Sequence, residues 1–200
     1  MNTSLGVSSF LGVDDLDEEA IADSSILYME GYLFDRDEAK AAFRRAAEVA
    51  HANDRLVSLT LSDSFCVDRH RDDFRDLVRD SVDLLFGNHD ELLSLYETDS
   101  FDDAVAALRA ECELAAITIG AEGSLIVSPD EVERVPAQPV TQVMDTTGAG
   151  DLFAAGLLFG LTAGHDLTKS ARFGSIAAAE VIGHVGPRPL VELRTLLGDG

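Results

Sequence analysis

Basic residues are scarce in this sequence. Its 200 residues include 15 Lys and Arg against 37 Asp and Glu, which gives a net charge of −22. A surface of this sign repels nucleic acid and anionic membranes, so neither is an expected partner. It also repels nucleotides such as ATP, so a nucleotide site would depend on Mg²⁺ and on backbone amide dipoles. The composition therefore favours a small-molecule ligand.

Cysteines and long apolar runs are also scarce. Cys66 and Cys112 are the only cysteines, and they form no CxxC pair, which indicates a reduced, cytoplasmic chain. No apolar run is long enough to span a membrane, and no charged segment precedes an apolar one at the start. Hydrophobic residues make up 46% of the chain, so residues 1–200 are predicted to form one domain with a real core.

A glycine-rich stretch at residues 145–151, Asp-Thr-Thr-Gly-Ala-Gly-Asp, is the most informative part of the chain. Gly148 and Gly150 have no Cβ, so their amides can approach a ligand closely. They precede an apolar run that is typical of a buried helix, and a helix N-terminus attracts anions, phosphate above all. Asp151 would repel a phosphate unless it accepts a proton from a hydroxyl group that attacks phosphorus.

A simpler interpretation of the same stretch is a capped helix. In that case Asp145 or Thr147 is the cap, Asp151 favours the helix dipole, and the glycines form a turn. The two acids and two threonines around the glycines favour phosphate chemistry instead. Two other phosphate motifs are excluded, because no Lys is present for a P-loop and Phe153 occupies the third glycine position of a dinucleotide fingerprint.

Apolar runs alternate with amphipathic stretches through the first 120 residues. The runs at 24–32, 56–62, 82–86 and 114–119 predict strands, and helices are predicted near 35–52, 69–80, after residue 90 and from Ser100 onwards. This alternation predicts an α/β fold with a parallel sheet covered by helices on both faces. Residues 125–127 and 132–135 predict an antiparallel pair, and helices are predicted at 148–163, 168–183 and 189–197.

Polar residues follow several of the predicted strands, at the edge where open α/β sheets bind ligands. Asn88 and Glu91 would share one side of a helical turn, and their hard oxygens suit Mg²⁺. On spacing alone, a helix cap at Asn88 is the default interpretation. Glu30 ends the first strand, and spacing favours a ligand contact and a solvent-facing carboxylate equally.

The motif Asp-Thr-Thr-Gly-Ala-Gly-Asp-x-Phe-x-x-Gly at 145–156 resembles the signature of the ribokinase/adenosine kinase-like (PfkB-type) carbohydrate kinases. The resemblance implies a three-layer ribokinase-like fold with a mainly parallel central sheet. It also implies that the amides of Gly148, Ala149 and Gly150 form an anion hole for the transferred phosphoryl group. Asp151 would be the base that activates the acceptor hydroxyl, with ATP and Mg²⁺ as cofactors.

Further residues take roles from the same resemblance. Thr118-x-Gly120-x-x-Gly123 is similar to the nucleotide-binding strand–turn of these kinases, although an ordinary hairpin turn is the alternative. Asn88 and Glu91 match the motif that organises Mg²⁺ and phosphates. Glu30 matches a carboxylate held near the acceptor sugar.

The break at residues 183–189, Gly-His-Val-Gly-Pro-Arg-Pro, also has an implied role. In the family this region lines the adenine pocket and, with the region of Asp145 and Thr147, supplies oxygens to a monovalent cation such as K⁺. The resemblance therefore assigns His184 and Gly186 to the nucleotide site and Asp145 to a metal. A loop that merely terminates a helix is the competing interpretation.

The resemblance covers the C-terminal, nucleotide-binding part of these kinases. The first sheet strands, the β lid and the sugar-binding residues that family members usually carry do not precede Met1. The expected activity is transfer of the ATP γ-phosphate to a hydroxyl of a sugar or nucleoside by a monomer or homodimer. The segments 1–6 and 184–189 are most similar to adenosine kinases. The alternatives are a non-catalytic nucleotide-binding remnant that lacks an acceptor site and a generic α/β domain.

Overall fold

A computed structural model describes residues 5–197. Part of the segment 1–6 therefore lies outside the described residues. Six strands form a mixed sheet in the order β1-β2-β3-β4-β5-β6. The chain divides into two compact units, residues 1–115 and residues 116–200.

The first unit is built from alternating strands and helices. Its elements are α1 (Glu18–Asp23), β1 (Ile26–Glu30), α2 (Asp37–Ala52), β2 (Leu56–Thr60), α3 (Ser64–Ser81), β3 (Leu84–Asn88), α4 (His89–Tyr96) and α5 (Phe101–Glu111). Strands β1, β2 and β3 are parallel, as predicted, and Glu30 is in register with Thr60. Because parallel strands end at one edge of a sheet, the residues after them gather there.

The core of the first unit forms between α2, α3 and the turn after β1. The apolar face predicted for α2 is confirmed, since Ala39, Ala42, Phe43, Ala46, Ala47 and Ala50 are all buried. Phe34 stacks on Phe74 with ring centroids 4.3 Å apart. Gly31 lets the chain pass over this pair, because a Cβ there would lie 2.6 Å from the Phe74 ring.

The second unit contains β4 (Ala115–Thr118, which begins at the boundary), β5 (Ser124–Val127), β6 (Val132–Val135), α6 (Ala149–Thr162) and α7 (Leu167–Ile182). Strands β5 and β6 are antiparallel, as predicted. Helices α6 and α7 pack closely at glycines. A Cβ on Gly156 would lie 2.6 Å from the Phe173 carbonyl oxygen, and one on Gly174 would lie 2.6 Å from the Phe153 carbonyl oxygen.

Two predicted elements differ from the structure. The helix predicted at 69–80 begins earlier, at Ser64, because the Asp63 carboxylate accepts a hydrogen bond from the Phe65 amide at 2.7 Å and caps it. The helix predicted at 189–197 is wrong, since only Leu193–Leu196 forms a short 3₁₀ turn. Leu190 is 73% exposed, so this segment lacks the buried apolar face that stabilises most helices.

The structure also bears on membrane spans and on the two cysteines. Among the described residues, no helix is both long and apolar enough to cross a bilayer. Cys66 and Cys112 are both free and buried. Burial raises the pKa of each thiol to about 11, so neither cysteine carries an accessible thiolate at neutral pH.

Candidate active site

The glycine loop leads directly into α6. Gly148 is the N-cap residue, with φ +84°, and no side chain caps the helix. The interpretation in which Asp145 or Thr147 is the cap is therefore wrong. In the described part of the chain, the Ala149 amide donates to the Thr146 carbonyl at 3.1 Å, whereas no backbone acceptor faces the amides of Gly150 and Asp151. The first turn of α6 therefore offers open donors to a ligand.

The Asp145 carboxylate organises the loop instead of capping the helix. Its Oδ1 accepts a hydrogen bond from the Thr147 amide at 2.9 Å, and its Oδ2 accepts one from the Gly186 amide at 3.0 Å. Hydrogen bonds from Thr147, followed by the one from Gly186, lower the Asp145 pKa to about 2. Asp145 is therefore ionised at neutral pH and joins the glycine loop to the segment after α7.

That segment packs against the start of α6. A Cβ on Gly148 would lie 3.0 Å from Pro187, so only glycine fits without displacing the segment. Gly186 has φ +101°, a conformation that favours glycine. The break at 183–189 does terminate α7, as the competing interpretation held, and it also contacts the glycine loop through Gly186 and Pro187.

A cavity of about 580 Å³ lies in the second unit. Five of the predicted residues line it: Thr118, Gly120, Gly123, Ala149 and Gly150. Most of the remaining wall is apolar and comes from Ala121, Ala137, Pro139, Val140, Val143, Phe153, Ala178, Ala179 and Ile182. Gly150 is exposed, so its open amide lies at an accessible part of the cavity wall. The cavity thus combines an apolar wall with an unpaired backbone amide at the start of α6.

The turn between β4 and β5 forms one side of this cavity. Residues Gly120–Glu122 make a 3₁₀ turn, and the Ile119 amide donates to the Gly123 carbonyl at 2.8 Å. Gly123 has φ +101°, and a Cβ there would lie 2.0 Å from the Val135 carbonyl oxygen. Gly123 is therefore required by its left-handed backbone conformation and by the close approach of β6.

In the first unit, Asn88 and Glu91 form a capping box at the start of α4. The Asn88 side chain accepts a hydrogen bond from the Glu91 amide at 2.9 Å. In return, Glu91 accepts hydrogen bonds from the Asn88 amide at 3.0 Å and from its Nδ2 at 2.7 Å. The default interpretation of Asn88 as a cap is confirmed. Burial, with a smaller effect from Asp63, raises the Glu91 pKa to about 7.

Glu30 lies at the same edge of the sheet as Asn88, at the end of β1 and two strands away. It is the last residue of β1 and is exposed. The Gly31 amide that follows donates to the Ser62 hydroxyl at 2.8 Å, which fixes the chain beyond β2 beside it. The parallel register therefore places the ends of β1, β2 and β3, with Glu30 and Asn88, at one edge of the first unit.

Comparison with known proteins identifies the family. Residues 2–193 match the pfkB family of carbohydrate kinases. This chain belongs to that family. A curated relative described as an uncharacterized sugar kinase, from Archaeoglobus fulgidus, is 26% identical over 189 residues, which are 92% of this chain and 71% of the relative.

Solved structures of the family are similar in fold to this chain. An adenosine kinase from Sinorhizobium meliloti is 50% identical with a TM-score of 0.91, covering 94% of this chain and 58% of that one. A probable sugar kinase from Rhizobium etli CFN 42 is 44% identical with a TM-score of 0.91, covering 94% and 57%. A putative ribokinase II from E. coli in complex with ATP and Mg²⁺ is 21% identical with a TM-score of 0.80, covering 89% and 58%, which shows the fold alone. The chain thus spans a little over half the length of these structures, and the ribokinase-like fold is confirmed.

The pfkB-family residues predicted from sequence fall into three structural groups. Thr118, Gly120, Gly123, Ala149 and Gly150 share the cavity. The loop residues Asp145, Thr147, Gly148, His184 and Gly186 lie outside its wall, and so does the exposed Asp151 at the start of α6. Glu30, Asn88 and Glu91 belong to the first unit.

Part of the cavity wall was missed from the sequence. Residues 137–140 follow β6 and contain no glycine motif or charge pattern that would mark them. Four further lining residues follow the i, i+3, i+4, i+7 spacing of one face of α7: Ser175, Ala178, Ala179 and Ile182. This spacing of mostly small residues is a signal that could have indicated a face toward a ligand.

Proposed function

We propose that this pfkB-family chain binds ATP and transfers its γ-phosphoryl group to a hydroxyl of a sugar or nucleoside. One observation carries the proposal: Ala149 and Gly150, at the open start of α6, also line the apolar cavity. An aromatic base fits an apolar wall, and phosphates fit unpaired amides at a helix N-terminus. The cavity therefore has the two chemistries that ATP requires, side by side.

In this proposal, Asp151 is the base. It lies in the first turn of α6 and is exposed, so an acceptor hydroxyl can reach its carboxylate. Asp151 takes the hydroxyl proton as the oxygen attacks the γ-phosphorus and the bond to the ADP leaving oxygen breaks. The amides of Gly148, Gly150 and Asp151, which meet no backbone acceptor among the described residues, stabilise the charge on the transferred group, an effect of the oxyanion-hole type. The Ala149 amide takes no part, because it already donates to the Thr146 carbonyl.

We also propose roles for the metal candidates. Within residues 5–197, no three His, Cys, Asp or Glu residues cluster to hold an ion. Both oxygens of Glu91 already accept hydrogen bonds from Asn88, so this pair would orient the water shell of Mg²⁺. When bound with ATP, Mg²⁺ would neutralise phosphate charge. Asp145, ionised and beside Thr147, is the proposed carboxylate for a monovalent cation such as K⁺.

The proposed acceptor is adenosine or a related nucleoside, and Glu30 is proposed to contact its sugar. The support is the 50% identity to the adenosine kinase of Sinorhizobium meliloti. Because a probable sugar kinase is 44% identical, a free sugar is the second candidate acceptor. We also propose that the protein is cytoplasmic and acts as a monomer or homodimer. Residues 1–200 are proposed to form a single kinase domain.

One observation favours a second candidate function. The chain spans 57% and 58% of the two most identical solved structures described above. The lining of the cavity comes wholly from the second unit, whereas Glu30, the residue proposed to contact the acceptor, belongs to the first unit and does not line it. A nucleotide-binding protein without phosphotransfer is therefore the alternative to test.

The experiment combines calorimetry with a phosphotransfer assay. The purified chain is titrated with ATP in Mg²⁺, and ADP formation is followed with adenosine, ribose and other sugars as acceptors. We expect ATP binding and the fastest turnover with adenosine. Ala179→Leu should abolish ATP binding because Ala179 lines the cavity, whereas Ala155→Leu, the same change at an exposed position of α6, should not. Binding without turnover would support the alternative, and ATP binding unaffected by Ala179→Leu would contradict the proposed site.

A further inference from the structure

Glu180 occupies an unfavourable place for a carboxylate. It lies in the last turn of α7, and its side chain is only 11% exposed. The C-terminal end of a helix carries partial negative charge, so an acidic side chain there is repelled. Removing the carboxylate from water adds a desolvation cost. A residue with these two penalties needs contacts that offset them.

Its two oxygens contact the two ends of one loop, residues 184–190. Glu180 Oε1 accepts a hydrogen bond from the Leu190 amide at 3.0 Å. Glu180 Oε2 lies 3.4 Å from His184 Nε2, and the His184 side chain is 18% exposed. A single carboxylate therefore holds the loop at its first and last residues.

The middle of the 184–190 loop contacts the glycine loop. The Gly186 amide donates to Asp145 Oδ2 at 3.0 Å, and Pro187 lies 3.0 Å from the position that a Cβ on Gly148 would occupy. Asp145 in turn accepts the Thr147 amide at 2.9 Å. Within residues 5–197, the hydrogen bonds that join the 184–190 loop to the rest of the chain end on Glu180 and Asp145.

We propose that Glu180 is a positioning residue for phosphoryl transfer, which holds the 184–190 loop so that Gly186 and Pro187 fix Asp145 and Gly148 at the start of α6. Glu180 lies in the last turn of α7, before the C-cap residue Gly183. Because its carboxylate holds the loop and not the ligand, Glu180 acts without touching a substrate. Its effect passes through the Gly186–Asp145 hydrogen bond to the amides that receive the phosphoryl group. The catalytic consequence rests on the proposed function, whereas the positioning itself does not.

The first test measures positioning without any turnover. Amide hydrogen exchange of Gly186 is compared with that of Leu157, a buried residue of α6, in wild type and Glu180→Ala. We expect Gly186 exchange to accelerate about 10-fold relative to Leu157, the factor expected from losing one ordinary hydrogen bond. Glu180→Gln should restore part of the protection, because its amide oxygen can still accept the Leu190 amide. Glu111→Ala is the matched control, since Glu111 is a part-buried carboxylate paired with Arg75 in the first unit.

The second test measures the consequence for catalysis. We expect Glu180→Ala to lower kcat by about 10- to 100-fold, as a small misplacement of a site can do, with a smaller change in KM for ATP because the cavity wall is intact. Adding Glu180→Ala to Asp145→Asn should lower kcat little further. Both changes disrupt the same path, which runs from Glu180 through the 184–190 loop to Asp145.

The outcomes separate the two proposals. Unchanged Gly186 exchange in folded Glu180→Ala, or acceleration that is equal for Gly186 and Leu157, would overturn the positioning role. A fall in kcat in the double variant that equals the product of the falls in Glu180→Ala and Asp145→Asn would also overturn it. A wild-type chain without turnover would contradict the proposed function alone, and the exchange measurement would still decide the role of Glu180.

Discussion

Glu91 is 7% exposed and accepts two hydrogen bonds from Asn88, yet burial raises its pKa from 4.5 to about 7. The folded state therefore holds this proton more tightly than the unfolded chain does. The contribution of Glu91 to stability is complete below pH 4.5 and is lost as pH rises through about 7. The titration of Glu91 therefore makes the protein less stable as the pH rises from 4.5 to about 7.

We expect the free energy of unfolding of the wild type, measured by urea denaturation in EDTA, to lose about 3 kcal/mol from this group between pH 4.5 and 7.5. Glu91→Gln should flatten that part of the pH dependence. Glu38→Gln makes the same change in the first turn of α2, where the side chain is 64% exposed, and should leave the profile unchanged. Identical profiles for wild type and Glu91→Gln would contradict the assignment.

Single residues differ in how well the sequence predicts them. The motifs predicted Gly120 and Gly123 at a nucleotide site and Gly150 in an anion hole for the phosphoryl group, and all three line one cavity. Their roles there stay predictions. The pairing of Asp145 with Gly186 joins residues 41 positions apart, so no local pattern indicates it. The raised pKa of Glu91 depends on burial at a sheet edge, which spacing alone does not give.

At the scale of elements, α6 and α7 form the rigid support for the glycine loop. They approach so closely that a methyl group at Gly156 would lie 2.6 Å from the Phe173 backbone carbonyl. Gly150, in the same helix, has no such neighbour within 4 Å of its Cβ position. Gly156 is therefore required for the packing of α6 on α7, whereas packing does not require glycine at position 150, where we propose that a ligand approaches.

We expect Gly156→Ala to lower the free energy of unfolding by about 1–3 kcal/mol, since the backbone of α7 must move away. Gly150→Ala should keep or slightly raise stability, because alanine is the better helix former by about 1 kcal/mol at most, while it weakens ATP binding. Thermal unfolding followed by circular dichroism compares the two. Equal unfolding temperatures would show that the helices do not meet at Gly156.

Hydrophobic periodicity predicted the α/β elements of the first 120 residues within a few residues of their bounds. It was least accurate where tertiary contacts decide. Residues 189–197 contain enough leucine to suggest a helix, but Leu190 and Leu196 are exposed and find no core to cover. The α6–α7 contact was also missed, since small residues permit close packing without indicating which helices meet.

At the scale of the whole molecule, the net charge of −22 limits where the proposed nucleotide could bind. A polyanion can bind such a chain only where local donors exceed the general repulsion. The open amides of Gly150 and Asp151 are donors of this kind. A carboxylate at the same place, Asp151, adds repulsion to a phosphate and is best explained by a chemical role.

The most direct measurement of the central claim is phosphotransfer by Asp151→Asn beside Asp102→Asn. Asp102 is likewise an exposed aspartate in the first turn of a helix, α5, so both variants lose the same dipole interaction. We predict that Asp151→Asn lowers kcat by about 10²- to 10⁴-fold while ATP binds as well or better, because a proton acceptor and a repulsive charge are both removed. Asp102→Asn should retain wild-type kcat. Equal turnover by the two variants would contradict the role of Asp151 as the base and, with it, this account of the site.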